Sequence, residues 1–185
     1  MVAHNPPRPE PRVVAAALAG DRAALERVIA GWLATVYAWC HRLGAGRIDA
    51  EEAAHDVMMT LMRRHATVRA PEALPSWLFS TCRRVVANHR RLAWWRRWAP
   101  GKGFGEHESH LRTDLPLERR ELAAAVAEAL DGLRPMHREV LVLCYLEERS
   151  VDEASELLGI PSGTVKSRLF HARRHFRTRF GEEMQ

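Results

Sequence analysis

Apolar residues recur at three- and four-residue steps along most of this chain, and no stretch sustains the period-two alternation of a half-buried strand. The pattern predicts an all-α protein. A short apolar helix is expected from about Arg12 to Ala19, stopped by Gly20. Asp21 then caps a longer helix whose inward stripe reads Leu25, Val28, Ile29, Trp32, Val36, Cys40 and Leu43. The Gly44–Gly46 turn closes it. Asp49, with Glu52 three places on, opens a third helix as a capping-box variant. Its stripe is Ala54, Val57, Met58, Leu61 and Met62, and its outer face carries Glu51, Glu52 and Asp56. After a loop at Thr67–Pro75, a fourth helix runs from about Ser76 to Leu92.

The pattern then breaks and restarts. Residues 1–10 are polar and proline-rich and are expected to be a disordered tail. Pro100–Pro116 has no apolar period and is rich in Gly and polar groups, which is the composition of a flexible linker. These breaks divide the chain into a helical domain at 11–95, a linker at 96–117 and a second helical domain at 118–181. In the second domain Leu117–Leu130 forms an alanine-rich helix ended by Asp131-Gly132. Pro135 starts another, with Val140, Leu141, Cys144 and Tyr145 expected on its inward side. Ser150 and Glu153 form a capping box for a short helix with Ala154, Leu157 and Leu158 as its stripe. Gly159 supplies a left-handed turn, Pro161 cannot continue the first helix, and Ser162 caps a second that runs through Phe180. Two helices joined by a tight Gly-containing turn make a helix-turn-helix.

Charge sharpens that reading. The second helix of the motif carries Lys166, Arg168, Arg173, Arg174, Arg177 and Arg179, with no acidic residue from Gly163 to Phe180. A solvated face normally mixes signs, so a one-sign helix in this motif points to duplex DNA. From Arg83 onward Arg83, Arg84, Arg90, Arg91, Arg96, Arg97 and Lys102 interleave with Trp94, Trp95 and Trp98. Cations beside flat rings suit a nucleic acid, although tryptophans packed on a helical core would give the same string. At 185 residues, 46% hydrophobic, the chain can bury real cores, and a net charge of +5 with pI near 9.7 favours a polyanionic partner. Cys40, Cys82 and Cys144 are far apart and sit among apolar residues, as small buried thiols do. No charged-then-apolar leader and no membrane-spanning run is seen, so a soluble protein of a reducing compartment is expected. An enzyme reading rests on the His55-Asp56 dyad, with His41 and Asp114 as conceivable further metal ligands. Such a site needs ligands converging on one pocket. The dyad instead falls on an outward turn and Asp114 in the linker, so no enzymatic activity, metal or cofactor is expected.

Two segments carry a family resemblance. LRPMHREVLVLCYLEERSVDEASELLGIPSGTVKSRLFHARRHFR resembles region four of the extracytoplasmic-function sigma factors of the sigma-70 family. DAEEAAHDVMMTLMRR, followed by PSWLFSTCRRVVANHRR, resembles their region two. The resemblance implies a transcription initiation factor that binds core RNA polymerase, recognises the minus-thirty-five and minus-ten promoter elements and promotes melting. By position it implies that Asp49, Glu51, Glu52 and Asp56 meet the clamp helices of the polymerase's largest subunit, with the flap as a further polymerase contact. It implies that Val68, Arg69, Arg83, Arg84, Asn88, Arg90 and Arg91 serve the minus-ten element. Thr164, Lys166, Ser167, Arg168, Phe170, His171, Arg173 and Arg174 would serve the minus-thirty-five element. Phe170 lies one step from the core-facing Leu169 and can either pack inward or touch a thymine methyl. His55-Asp56 stands where the family often has Gln-Glu, Arg84 replaces a common asparagine, Asn88 a common aspartate and His171 a frequent arginine. The resemblance further implies a cytoplasmic protein with an anti-sigma partner. The competing reading is a helix-turn-helix regulator that does not associate with core polymerase; it would have no need of an N-terminal helical domain with a basic, aromatic edge.

Overall fold

Asp21 and Asp49 each turn a carboxylate onto the first amides of a helix, accepting from Ala24 N at 2.8 Å in one case and from Glu51 N and Glu52 N at 2.9 and 3.0 Å in the other. The structure, a computed structural model, describes residues 8–98 and 116–183. Among the described residues there are helices and no strand. The first domain comprises α1 (Pro11–Leu18), α2 (Arg22–Gly44), α3 (Ala50–Arg64) and α4 (Leu74–Trp98). The second comprises α5 (Leu117–Asp131), α6 (Pro135–Leu141), α7 (Val151–Leu158) and α8 (Ser162–Glu183), with a π-helical turn at Val142–Leu146 after α6.

In the first domain α2, α3 and α4 pack against one another and α1 lies across α2. Val28, Trp32, Val36, Cys40 and Leu43 are buried as the periodicity requires, while Leu25 and Ile29 flank the core. Trp39 is outside that stripe in the sequence but is among the largest fully buried side chains. It meets Phe79 edge-on at 5.1 Å between ring centroids and Trp32 at 6.1 Å, a three-ring cluster linking α2 to α4. Met62, expected inward, is exposed, because it lies at the edge of the Ala54–Val57–Met58–Leu61 stripe. The expected loop at 67–75 holds two short 3-10 turns, His65–Thr67 and Pro71–Ala73. α4 is longer than the pattern suggests, since no Gly or Pro interrupts the sequence between Leu92 and Trp98. It therefore takes up the start of the expected linker; residues 99–115 lie outside the described residues. So do residues 1–7, whereas Arg8 places its guanidinium 4.9 Å over the Trp32 ring.

The second domain follows its sequence signals closely at the helix-turn-helix. Ser150 accepts from Glu153 N at 3.2 Å while Glu153 accepts from Ser150 N at 2.8 Å, so both halves of the capping box form. Gly159 closes α7 at φ +64°. Val165, Leu169 and Ala172 are the buried face of α8. The π turn is a departure from the expected pattern. Its Glu147 N–H donates to Val142 O at 2.9 Å, one residue farther back than an α-helix allows. The extra residue rotates the phase, so Val142 and Leu143 are buried while Tyr145 is 51% exposed and Cys144 half-buried. Cys40 and Cys82 are buried side by side in the first domain, and burial holds the Cys82 thiol well above its ordinary value.

The caps of the helix-turn-helix yield a stability prediction. Ser150→Ala is expected to cost about 1 kcal/mol, and Gly159→Ala about 1–2 kcal/mol because an L side chain is strained at left-handed φ, both read by urea unfolding. The backbone and side-chain hydrogen bonds to Ser150 hold the Glu153 carboxyl below its usual range. A lowered value means that this contribution is complete above the ordinary glutamate range and disappears as pH falls through the lowered one. Glu153→Gln should remove that part of the acid dependence.

Candidate nucleic-acid and partner interfaces

The buried face of α8 turns its other faces to solvent. Lys166, Ser167, Phe170, His171, Arg173 and Arg174 are exposed, Thr164 and Arg168 half-buried. Phe170 is 66% exposed, which decides between its two expected placements: it faces outward, beside the basic residues, with its ring 5.4 Å from that of His171. His171 and His175 both stack near His137 of α6, at 6.3 and 5.6 Å between ring centroids. Burial lowers the pKa of His137, and the neighbouring His175, His171, Arg134 and Arg168 lower it further. The Arg173 guanidinium lies 5.3 Å over the Tyr145 ring, a contact open to it because the π turn points that tyrosine outward.

α4 presents its cations on two stripes. Arg84, Asn88 and Arg91 are exposed along one, with Arg91 Nη2 donating to Asn88 Oδ1 at 2.9 Å. Arg83 and Arg90, seven residues apart, share the next face round the helix. That face meets the second domain. Arg83 Nε lies 2.7 Å from Glu139 Oε1, and Arg90 pairs with Asp131 while donating to Gly44 O at 2.7 Å. In the preceding loop Arg69 is exposed, but Val68 is buried in the first-domain core and packs there instead of facing solvent. At the end of α4, Trp94 and Trp95 are 53% and 60% exposed and touch edge-on at 5.2 Å, so neither is a core residue. The side chains of Arg97 and Trp98, and all of Lys102, lie outside the described residues.

The acidic cluster at the start of α3 divides as well. Glu51, Glu52 and Asp56 are exposed. Asp49 is committed to its helix as the N-cap. Asp56 Oδ2 lies 2.9 Å from His89 Nε2 of α4, and Glu52 lies 3.9 Å from the same ring's Nδ1, so α3 and α4 share a polar seam beneath this acidic face. His55 of the dyad points away, exposed; Asp114 lies outside the described residues. Among the described residues no three His, Cys, Asp or Glu side chains converge on a metal-sized site. No described helix is long and apolar enough to cross a membrane.

A set of polar residues that sequence reasoning did not find joins the two domains. Arg138, buried in α6, donates through Nε to Leu130 O at 2.8 Å, through Nη2 to Asp131 O and Leu133 O at 2.9 and 3.1 Å, and through Nη1 to Leu43 O of α2 at 2.9 Å. Burial and the nearby Arg90 lower its pKa to about 10, which leaves it charged at neutral pH. Arg47 Nε lies 2.8 Å from Asp131 Oδ2, and Arg42 pairs with Glu147. Burial would raise the Asp131 carboxyl, but its hydrogen bond from Arg90 and the charges of Arg90 and Arg47 win and hold it below its ordinary value. Adjacent charges before an apolar run (Arg138-Glu139 before Val140) were the available signal, but such groups find partners far away in sequence: Arg138 reaches Leu43, 95 residues off, and Arg47 reaches Asp131, 84 residues off.

Comparison with known proteins supplies the identity. Residues 28–96 match the model for Sigma-70 region 2, and residues 123–176 that for Sigma-70, region 4. The ECF RNA polymerase sigma factor SigL of Mycobacterium tuberculosis is 33% identical over 136 residues, covering 70% of this chain and 75% of that protein. SigM, an ECF RNA polymerase sigma factor of the same species, is 27% identical over 170 residues, covering 90% of this chain and 82% of its own length. Two solved structures share the fold at 20% identity. One is CnrH in complex with the cytosolic domain of CnrY, with TM-score 0.64 over 90% of this chain and 94% of CnrH. The other is the sigma factor RpoE in complex with the anti-sigma factor NepR from Bartonella quintana, with TM-score 0.62 over 84% of this chain and 96% of that one. With a region 2 and a region 4 in order, each built around the helices its sequence demands, this chain belongs to the extracytoplasmic-function sigma factors of the sigma-70 family and is a transcription initiation factor.

Proposed function

We propose that this sigma factor engages core RNA polymerase through the acidic start of α3, the minus-ten element through α4 and the loop before it, and the minus-thirty-five element through α8. The observation that carries the division of labour is the exposure of two separate basic surfaces. One is a helix with no acid between Gly163 and Phe180, of the right form for a major groove. The other is the Arg84–Asn88–Arg91 stripe, which continues towards the exposed Trp94–Trp95 pair. An unpaired strand needs that second kind of surface, because phosphates take the charge and bases stack on rings. Arg69 extends this surface at the loop, Arg83 and Arg90 flank it on the next face of α4, and Val68 contributes by packing the loop. Glu51, Glu52 and Asp56 form the polymerase-facing patch, with Asp49 holding the helix that presents them. Such a factor works in the cytoplasm. An anti-sigma protein is its second proposed partner, in keeping with the anti-sigma complex in which the RpoE relative was solved.

Polymerase docking is tested by charge reversal. Glu52→Lys with Asp56→Lys is expected to weaken binding to core polymerase by about tenfold or more, as for charge-complementary rims, with helical content kept. Wild-type affinity in a pull-down titration would remove this face from the interface. Co-purification with core polymerase also separates a sigma factor from an unassociated regulator.

On α8, Lys166 is assigned to a base edge and Arg173 and Arg174 to phosphates farther along the helix. Lys166→Ala should cost roughly 1–3 kcal/mol and relax preference at one base pair. Arg174→Ala should weaken all promoters alike and reduce the salt slope by about one unit. Transcription from promoter variants at two salt concentrations distinguishes the two, and an unchanged profile for Lys166→Ala would take it off the reading surface.

A further inference from the structure

We infer that His137, His171 and His175 form a phosphate site on the flank of α8 that faces α6, and that duplex DNA held there makes the cluster take up protons. The inference rests on the placing of α8 in a major groove proposed above. Its first basis is geometry. His171 and His175 stand four residues apart on α8, one turn along the same face. His137 of α6 stacks against both, at 6.3 and 5.6 Å between ring centroids and 19° between planes in each case. The two α8 rings are exposed and His137 is half-buried, so the trio opens to solvent. Among the described residues no three such groups are placed to hold a metal ion, which leaves the cluster to an anion.

Charge is the second basis. The groups whose charge acts on His137 are Arg134, just before α6, and Arg168, His171 and His175 of α8, and every one is a base. The acids Asp131 of α5, Glu139 of α6, Glu147 after the π turn and Glu153 of α7 are each engaged by another arginine. In the turn before α6, Arg179 of α8 packs on Gly132 and adds a further cation. Burial and its basic neighbours therefore keep His137 from taking a proton in the free chain, as its lowered pKa records. A phosphate brought to this flank reverses the local field. It favours the imidazolium form and accepts from the ring N–H groups.

The duplex supplies a phosphate at that place. A major groove is about 12 Å wide, close to the diameter of a helix with its side chains, so a helix seated in it has a phosphate strand along each flank. α6 packs along α8, and His171 stands where that flank meets the reading stripe, its ring 5.4 Å from that of Phe170. α6 thereby becomes a second DNA-contacting element. The sign of the pH effect follows from linkage. A histidine whose pKa is higher in the complex adds affinity below its free value, and the gain is lost as pH rises through the bound one. Duplex affinity therefore rises as pH falls through the histidine range, where Lys166, Arg173 and Arg174 keep their charge.

The test uses the full chain and a short fluorescein-labelled random-sequence duplex, titrated at pH about 6 and about 8, on either side of the ordinary histidine value. Wild-type affinity should be about tenfold higher at the lower pH. His137→Gln with His175→Gln should lose most of that gain; His171 is left in place because it borders the reading stripe. His175→Arg, a fixed cation, should carry tighter binding up to the higher pH. The control, His55→Gln with His65→Gln in the first domain, should keep the full gain. Circular dichroism checks the fold of the double variant, and His175→Gln alone, at an exposed position, should lose part of the gain if the half-buried His137 proves intolerant. Equal wild-type affinity at both pH values, a gain that persists in the His→Gln variants, or no tightening in His175→Arg overturns the inference. Arg174→Ala separates it from the reading beneath. That variant should weaken duplex binding at both pH values, and unchanged binding at both would overturn the placing of α8 against phosphates instead.

Discussion

The carbonyl end of α2 is the point on which the two domains depend. A helix leaves its last carbonyls without partners and carries partial negative charge there, and burial makes that costly. Here Leu43 O accepts from Arg138 of the second domain and Gly44 O from Arg90 of α4. The same guanidinium of Arg138 also takes three carbonyls between Leu130 and Leu133, where α5 turns towards α6. One buried cation thus ties off the end of a first-domain helix and the turn of a second-domain helix pair. Asp131 compensates the concentration of positive charge, since both Arg47 and Arg90 lie against it. Removing Arg138 would leave buried carbonyls without a donor, a larger penalty than the hydrogen bonds themselves are worth.

α4 shows how helical phase sorts one basic sequence into different tasks. Arg83 and Arg84 are adjacent, but a hundred degrees of rotation sends one to the domain boundary and the other to solvent. Arg90 and Arg91 repeat the division one heptad on. The consequence is that the two stripes respond differently to the arrangement of the domains. Arg84, Asn88 and Arg91 keep their solvent exposure with the second domain docked, while Arg83 and Arg90 are engaged by it.

Local signals in the sequence were reliable wherever the structure is locally determined. Asp21, Asp49, Ser150 and Gly159 act where short-range chemistry puts them, because caps and left-handed turns involve residues a few positions apart. The all-helical architecture and the inward face of α8 follow for the same reason. Tyr145 was misread because a π turn inserts one residue into the period, and nothing in VLVLCYL announces it. Met62 was misread because a stripe's edge depends on what packs against it. The site residues were legible as types but not as environments. Val68 is buried, Asp49 is spent on its helix, and Arg83 and Arg90 are paired across the boundary. Those pairings join distant positions through tertiary docking, which periodicity does not encode.

The boundary between the domains combines a continuous apolar cluster with a rim of ion pairs. An apolar seam alone would resist separation in proportion to its area and would be indifferent to DNA. A boundary rimmed by Arg42–Glu147, Arg47–Asp131, Arg83–Glu139 and Arg90–Asp131 is selective in what opens it, since an anion can replace each carboxylate without leaving the arginine bare. A polyanion supplies many such groups at once. The buried Arg138 is different in kind: its acceptors are neutral carbonyls, and its own domain retains three of the four when the domains part. Separation therefore costs Arg138 one hydrogen bond while its charge stays solvated by its own domain, which allows the second domain to remain folded when it is undocked.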